Sequence, residues 1–251
     1  HNPITGGLLL SNRARKRKKM KYINSNSLVT IEPIGENQAE VFKAYAEGKN
    51  LCLSGAAGTG KTFVLLYLAL KDVLSKDTPY EKVVIVRSLL PSREIGYLPG
   101  DLSEKSYLYQ APYEMLVKYL FEMPSDQAMS ALYDNLVEQD SIEFVSTSFL
   151  RGTTFDRCIV ICDECQNFTF QELDTITTRI GQDSTIHWAG DEAQTDLRNG
   201  QKDGWYNFQK IIGDMNEGVV VEFGIGDIIR SGWVRSYLIA KSKLSFKQDM
   251  S

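Results

Sequence analysis

The sequence predicts an α/β domain, a doubly wound and mainly parallel sheet with helices on both faces, and three observations carry that prediction. Short apolar runs alternate with helically spaced segments, a glycine-rich loop joins the first run to a helix, and a later run ends in two consecutive acids.

In chain order, Asn37 to Tyr45 has apolar residues three and four apart, which predicts a helix ending near Gly48. Asn50-Leu51-Cys52-Leu53-Ser54 follows as a short buried strand, and a helix is expected from Thr62 to about Ser75. Between them lies Gly55-Ala56-Ala57-Gly58-Thr59-Gly60-Lys61-Thr62, which fits the spacing G-x-x-x-x-G-K-[ST]. Lys82 to Arg87 reads as the second strand, joined to the first in a βαβ unit. Leu102 to Gln139 reads as mainly helical with a break at Pro124, and Met115, Leu116, Tyr119, Leu120 and Met123 are expected along one face. Ser141–Ser146, Arg157–Cys162, Thr185–Ala189 and Gly218–Phe223 complete six strands, and there is no internal repeat.

Composition narrows the class. A chain of 251 residues with 43% hydrophobic content can bury one large core. No run approaches the length of a membrane span, so a soluble, cytoplasmic protein is expected, and His1 without an initiator Met is expected to be left over from expression. Cys52, Cys158, Cys162 and Cys165 lie on or beside apolar strands, which argues against a disulfide framework. Cys162 and Cys165 form a C-x-x-C without a second ligand pair, and His187 reads as a packed core imidazole. The formal net charge is −4, yet seven basic residues fall between Arg13 and Lys21, and without them 21 basic face 32 acidic residues. An acidic body with a basic arm results; the arm either contacts polynucleotide phosphates or an acidic neighbour, or is a solvated tail.

The chemistry follows from the loop. Gly55, Gly58 and Gly60 let successive N–H groups turn inward, and with Ala56, Ala57 and Thr59 they form a main-chain cradle at a helix N-terminus, suited to a triphosphate. Lys61 would reach the β- and γ-phosphates, and Thr62 would offer its hydroxyl to Mg2+. Asp163, at a strand end, is the expected metal-shell carboxylate, and Glu164 the general base that polarises the attacking water. Asp191 and Gln194 at the next strand end could sense the γ-phosphate, against the plainer reading of a hydrogen-bonded turn. Gln38 offers a donor and an acceptor to the polar edges of adenine.

These pieces together resemble a known family. GAAGTGKT, REIGYLPGDLSEK, IVICDECQN, TRIG, GDEAQTD and GDIIRS, in this order, look like the PhoH-like family of phosphate-starvation-inducible ATPases, over about residues 38 to 241. The family core is similar to the first motor domain of superfamily 1 helicases. The resemblance implies a P-loop NTPase with a single RecA-like sheet, and it divides the chain into a flexible basic arm, residues 1–30, and an ATPase domain, residues 31–251. It implies that Gln38 reads adenine, that Asp191 and Gln194 form the γ-phosphate sensor, and that Arg230 is the arginine of the final motif. The chain departs from the family pattern at Ser88, in Arg151-Gly152-Thr153-Thr154, which lacks the usual second arginine, at Cys165 and at Ser231-Gly232, none of which removes an expected phosphate or metal contact.

The function expected is ATP hydrolysis with Mg2+, coupled to single-stranded RNA or DNA. Tyr97, Tyr107, Tyr109 and Tyr113 could stack on bases, although Tyr113 falls on an apolar helix face where core packing is the simpler reading. The alternative is an ATP-dependent switch or assembly factor with a protein partner, which the acidic body favours. A ring-shaped homo-oligomer, a hexamer by expectation, is inferred because the chain is short for a second motor domain. Arg230 would then complete a neighbour's site, the plain alternative being a surface pair with Asp227.

Overall fold

The computed structural model describes residues 23–88, 102–150, 152–191, 194, 195, 197, 203–229, 233, 236, 237 and 240. Among them, six strands form one sheet: β1 (Asn50–Gly55), β2 (Lys82–Arg87), β3 (Ile142–Ser146), β4 (Cys158–Cys162), β5 (Thr185–Gly190) and β6 (Gly218–Phe223), in the order β3-β2-β4-β5-β1-β6. Every pairing is parallel, with Cys52 opposite Trp188 and Val220, and Val84 opposite Glu143 and Val160. The first two strands are therefore not neighbours, since β5 and β4 lie between them.

Parallel strands covered on both faces must be apolar on both, and the central residues of β1, β2 and β4 are buried throughout. Alternate residues go to opposite faces. Leu51, Leu53, Val83, Ile85, Ile159 and Ile161 join one core, beneath α1 (Gly35–Ala46), α2 (Lys61–Leu74), α3 (Leu102–Phe121) and α4 (Asp126–Glu138). Cys52, Val84, Val86, Val160, Cys162, Ile186 and Trp188 join the other, beneath α5 (Phe170–Thr177) and α6 (Asp203–Asp214). This is the doubly wound arrangement the alternation predicts. Thr169 and Glu172 close a capping box that starts α5, and Ser125 caps α4 by accepting from Ala128 N.

The helical stretch before β3 breaks around Pro124, as expected, and of the face expected along it Leu120 is buried while Leu116 and Met123 pack against the core, but Met115 and Tyr119 do not. Tyr113, Val117, Leu120 and Phe121 point inward, while Met115 and Tyr119 are 60% and 65% exposed. Apolar residues surround this helix on nearly every side, so hydrophobicity alone does not select the face. His187 is buried, accepts from Leu51 N at Nδ1 (3.1 Å), and burial pushes its pKa down to about 3, so it packs as a neutral imidazole. All four cysteines are buried and unbridged. No helix among the described residues is long and apolar enough to cross a membrane.

Candidate nucleotide site

A cleft of about 560 Å³ opens at the C-terminal ends of β1, β4 and β5, where an open α/β sheet gathers its ligand-binding groups. Ala57, Gly58, Gly60, Lys61 and Thr62 form one wall. The loop needs glycine at its start: Gly55 has φ +118, and a Cβ there would fall 2.0 Å from Phe223 O on β6. Gly60, with φ 80, turns the chain into α2, so the loop leads directly into a helix N-terminus.

Lys61 is buried and folds back over its own loop. Its ammonium donates to Gly55 O and Ala56 O, both at 2.8 Å, and to Thr59 Oγ1 at 3.3 Å, while Thr59 Oγ1 donates to Ala56 O. Burial lowers its pKa, and the charges of Asp191, Asp163 and Glu164 oppose that shift.

Thr62 and Asp163 meet across 101 residues of sequence, with Thr62 Oγ1 donating to Asp163 Oδ1 at 2.8 Å. Glu164 follows in the left-handed region, φ 56, an uncommon conformation for a residue with a side chain and one that points to a functional constraint. Its Oε2 accepts from Gln166 Nε2 at 2.5 Å. Burial first, and Asp163 second, raise the pKa of Glu164. Gln166 also accepts from Asp191 N at Oε1 (2.9 Å), and its carbonyl accepts from Thr195 Oγ1. One buried amide therefore ties the end of β4 to the end of β5. Asp191 and Gln194 both line the cleft, and behind them Gly190 leaves no room for a side chain, because a Cβ would fall 2.8 Å from Trp205 Cε2.

The PhoH-like protein family model matches residues 30–241. The chain belongs to the PhoH-like family. Among curated relatives, Protein PhoH of Escherichia coli (strain K12) is 31% identical over 209 residues, 82% of this chain and 57% of its own. The PhoH-like protein of Synechocystis is 31% identical over 194 residues (77% and 56%), and that of Bacillus subtilis 30% over 190 (75% and 57%). The chain spans a little over half the length of the curated relatives it matches. Among solved structures, unliganded Pif1 from Bacteroides sp covers 80% of this chain and 43% of its own at 14% identity and a TM-score of 0.38, too slight a likeness to bear on function. The sheet order and the phosphate loop after β1 place this PhoH-like chain in the RecA-like P-loop α/β fold.

Not every residue expected at the PhoH-like site lines the cleft. Gln38 is buried behind the loop, accepting from Ile34 N (2.9 Å) and donating to Thr59 O (3.4 Å), so it braces the cradle. Arg230 lies outside the described residues; Ile229 before it donates to Gly58 O at 3.1 Å. Residues 1–22, which hold the basic run of the arm, and Tyr97 also lie outside them, as do the side chains of Tyr107 and Tyr109, whereas Ile23 and Leu28 of the arm pack against the core and Val29 N donates to Leu120 O at 2.8 Å. Three groups exceed the sequence reading: Gln166, whose place two residues after Glu164 was a usable signal, Arg87 at the end of β2, and Tyr113. Tyr113 is buried, yet its OH donates to Asp163 Oδ2 at 2.6 Å and Arg87 stands 5.8 Å from its ring.

Proposed function

We propose that this PhoH-like chain binds ATP with Mg2+ in the cleft, hydrolyses it, and couples hydrolysis to binding or remodelling single-stranded RNA or DNA. The observation that carries the reading is the convergence of Lys61, the Thr62–Asp163 pair and Glu164 on one cleft.

Loop N–H groups and the α2 N-terminus receive the phosphates, and Lys61 exchanges its carbonyl partners for β- and γ-oxygens. Thr62 and Asp163 offer hard oxygens side by side, which suits Mg2+, an ion that takes one or two protein oxygens and fills its shell with phosphates and water. When bound, Mg2+ neutralises charge developing on the phosphoryl oxygens. Glu164 takes the proton from the attacking water; its raised pKa brings it closer to working pH, and Gln166 fixes its carboxylate. Gln166 also makes the γ-phosphate state at Asp191 and Gln194 felt at the base. The Gln38 amide, with one acceptor site and one donor used by Ile34 N and Thr59 O, keeps one of each for adenine.

The test is ATP turnover without polymer and with single-stranded RNA or DNA. Stimulation that falls steeply with salt supports coupling to a polynucleotide. Turnover indifferent to both polymers turns the reading toward a protein-directed switch. In the proposed ring, Arg230 completes the neighbouring site, and the amide of Ile229 on Gly58 makes the same-chain arrangement the rival. Mixing inactive Arg230→Ala and Glu164→Gln subunits separates them: recovered turnover supports the shared site, and no recovery despite subunit exchange removes it.

A further inference from the structure

Asp163 is held by two hydroxyls from two different helices. Thr62 Oγ1, on the first turn of α2, donates to Oδ1, and Tyr113 OH, on α3, donates to Oδ2 at 2.6 Å. The carboxylate plane is thereby fixed from both sides. Tyr113 is 2% exposed, and its own placement is over-determined. Its ring lies 5.5 Å from that of Phe144 on β3, and the Arg87 guanidinium, at the end of β2, stands 5.8 Å from the ring centre.

A phenylalanine would fill the same space without a polar atom to satisfy, and burying a hydroxyl costs free energy unless it is bonded. The hydroxyl is bonded to the one carboxylate that, under the proposed function, holds the metal ion.

We propose that Tyr113 is a positioning residue for the metal shell: by orienting Asp163 from α3, it sets the affinity for Mg2+ without touching the phosphates' cradle. The inference rests on the proposed function and adds a residue and an element to it.

The experiment is calorimetric titration of a non-hydrolysable ATP analogue, in EDTA and across a Mg2+ series, on wild type, Tyr113→Phe and Phe144→Leu. Losing such an outer partner weakens metal binding by about 10- to 100-fold. Tyr113→Phe is therefore expected to raise the half-saturating Mg2+ concentration at least about 10-fold. Its analogue affinity in EDTA should equal that of wild type, and its melting curve should show a retained fold. Phe144→Leu loosens the packing around the ring but keeps the hydroxyl, so its Mg2+ midpoint should stay near that of wild type. An unchanged midpoint in Tyr113→Phe, or an equal shift in Phe144→Leu, overturns the proposal; a lowered midpoint does so too, since the phenol would then compete with the ion. Wild type that binds no analogue with or without Mg2+ would instead sink the proposed function, and this inference with it.

Discussion

The cradle half of the cleft is one unbroken stretch, Gly55 to Thr62, whereas its acidic half is gathered from the ends of β4 and β5, with α3 and β2 behind them. In the cradle the bonds made by the Lys61 ammonium and by Thr59 Oγ1 are local, to carbonyls five and six residues before Lys61 and to Ala56, while Gln38, Ile229 and Asp163 reach the loop from elsewhere. In the acidic half they span distance, with Tyr113 reaching Asp163 across 50 residues and Gln166 reaching Asp191 across 25. A local half is specified by its own sequence and holds a ligand by main chain. A half assembled by tertiary structure responds to anything that moves its supports, which suits it to chemistry that must be switched.

The strongest test of that division is Glu164→Gln. Loss of a positioned general base is worth about 10²- to 10⁴-fold, so turnover should fall by that order while ATP affinity by calorimetry stays at the parent value. Lys61→Ala should do the reverse on the other wall, lowering ATP affinity on the order of 10- to 100-fold by removing a charged hydrogen-bond donor. If both variants lose binding alike, the two halves are not separable and the comparison breaks.

Gln166→Ala sharpens it with a smaller effect, a turnover loss of about 10-fold at unchanged ATP affinity, since losing a partner that orients a working carboxylate commonly acts on that scale. It also has a directional signature in pH. The hydrogen bond from Gln166 lowers the pKa of Glu164 against the raising effects of burial and Asp163, so removing it pushes that pKa higher. Because the proposed base must be deprotonated to act, the acid limb of the pH–rate profile should begin above the ordinary glutamate range in wild type and move further up in Gln166→Ala.

The smallest effect is on stability. A carboxyl whose folded pKa is raised above its unfolded value is stabilising below the unfolded pKa, and that contribution is lost as pH rises through the folded pKa. Glu164 therefore costs stability at neutral pH, and Glu164→Gln should melt at a slightly higher temperature there. The gap should close as pH falls below the unfolded glutamate value of about 4.3. A gap independent of pH would assign it to the left-handed backbone at Glu164 instead.

Legibility in sequence followed the same division. The six strands were readable because strands buried on both faces must be continuous apolar runs, and the cradle because its residues are consecutive. Strand order was not readable, since pairing Cys52 with Trp188 leaves no mark in either run. The eight-residue helix α5 is short for periodicity, yet Thr169 and Glu172 spell the T-x-x-E spacing that the capping box uses. Tyr113 was legible as a core residue on an apolar face, and that is half of what it is. Its hydroxyl partner stands in another motif, and one side chain in the middle of a helix carries no spacing to announce it. Gln38 illustrates another limit: residue type suggested a base reader, and its backbone partner Ile34, four residues earlier, left no mark in the sequence.

The close packing of Trp205 on Gly190 gives the chain an optical property. The indole is 1% exposed and presses on the last residue of β5, directly before Asp191. Any displacement of that strand end must change what surrounds the ring, and with it the ring's emission. The other two tryptophans differ in setting: Trp188 is 1% exposed and Trp233 82% exposed. Emission from a solvated indole lies to the red of that from an enclosed one, so Trp233 separates by wavelength, and Trp188→Phe isolates the remaining blue component. Occupancy of the cleft beside Asp191 can then be followed in real time by the chain's own fluorescence, without a dye.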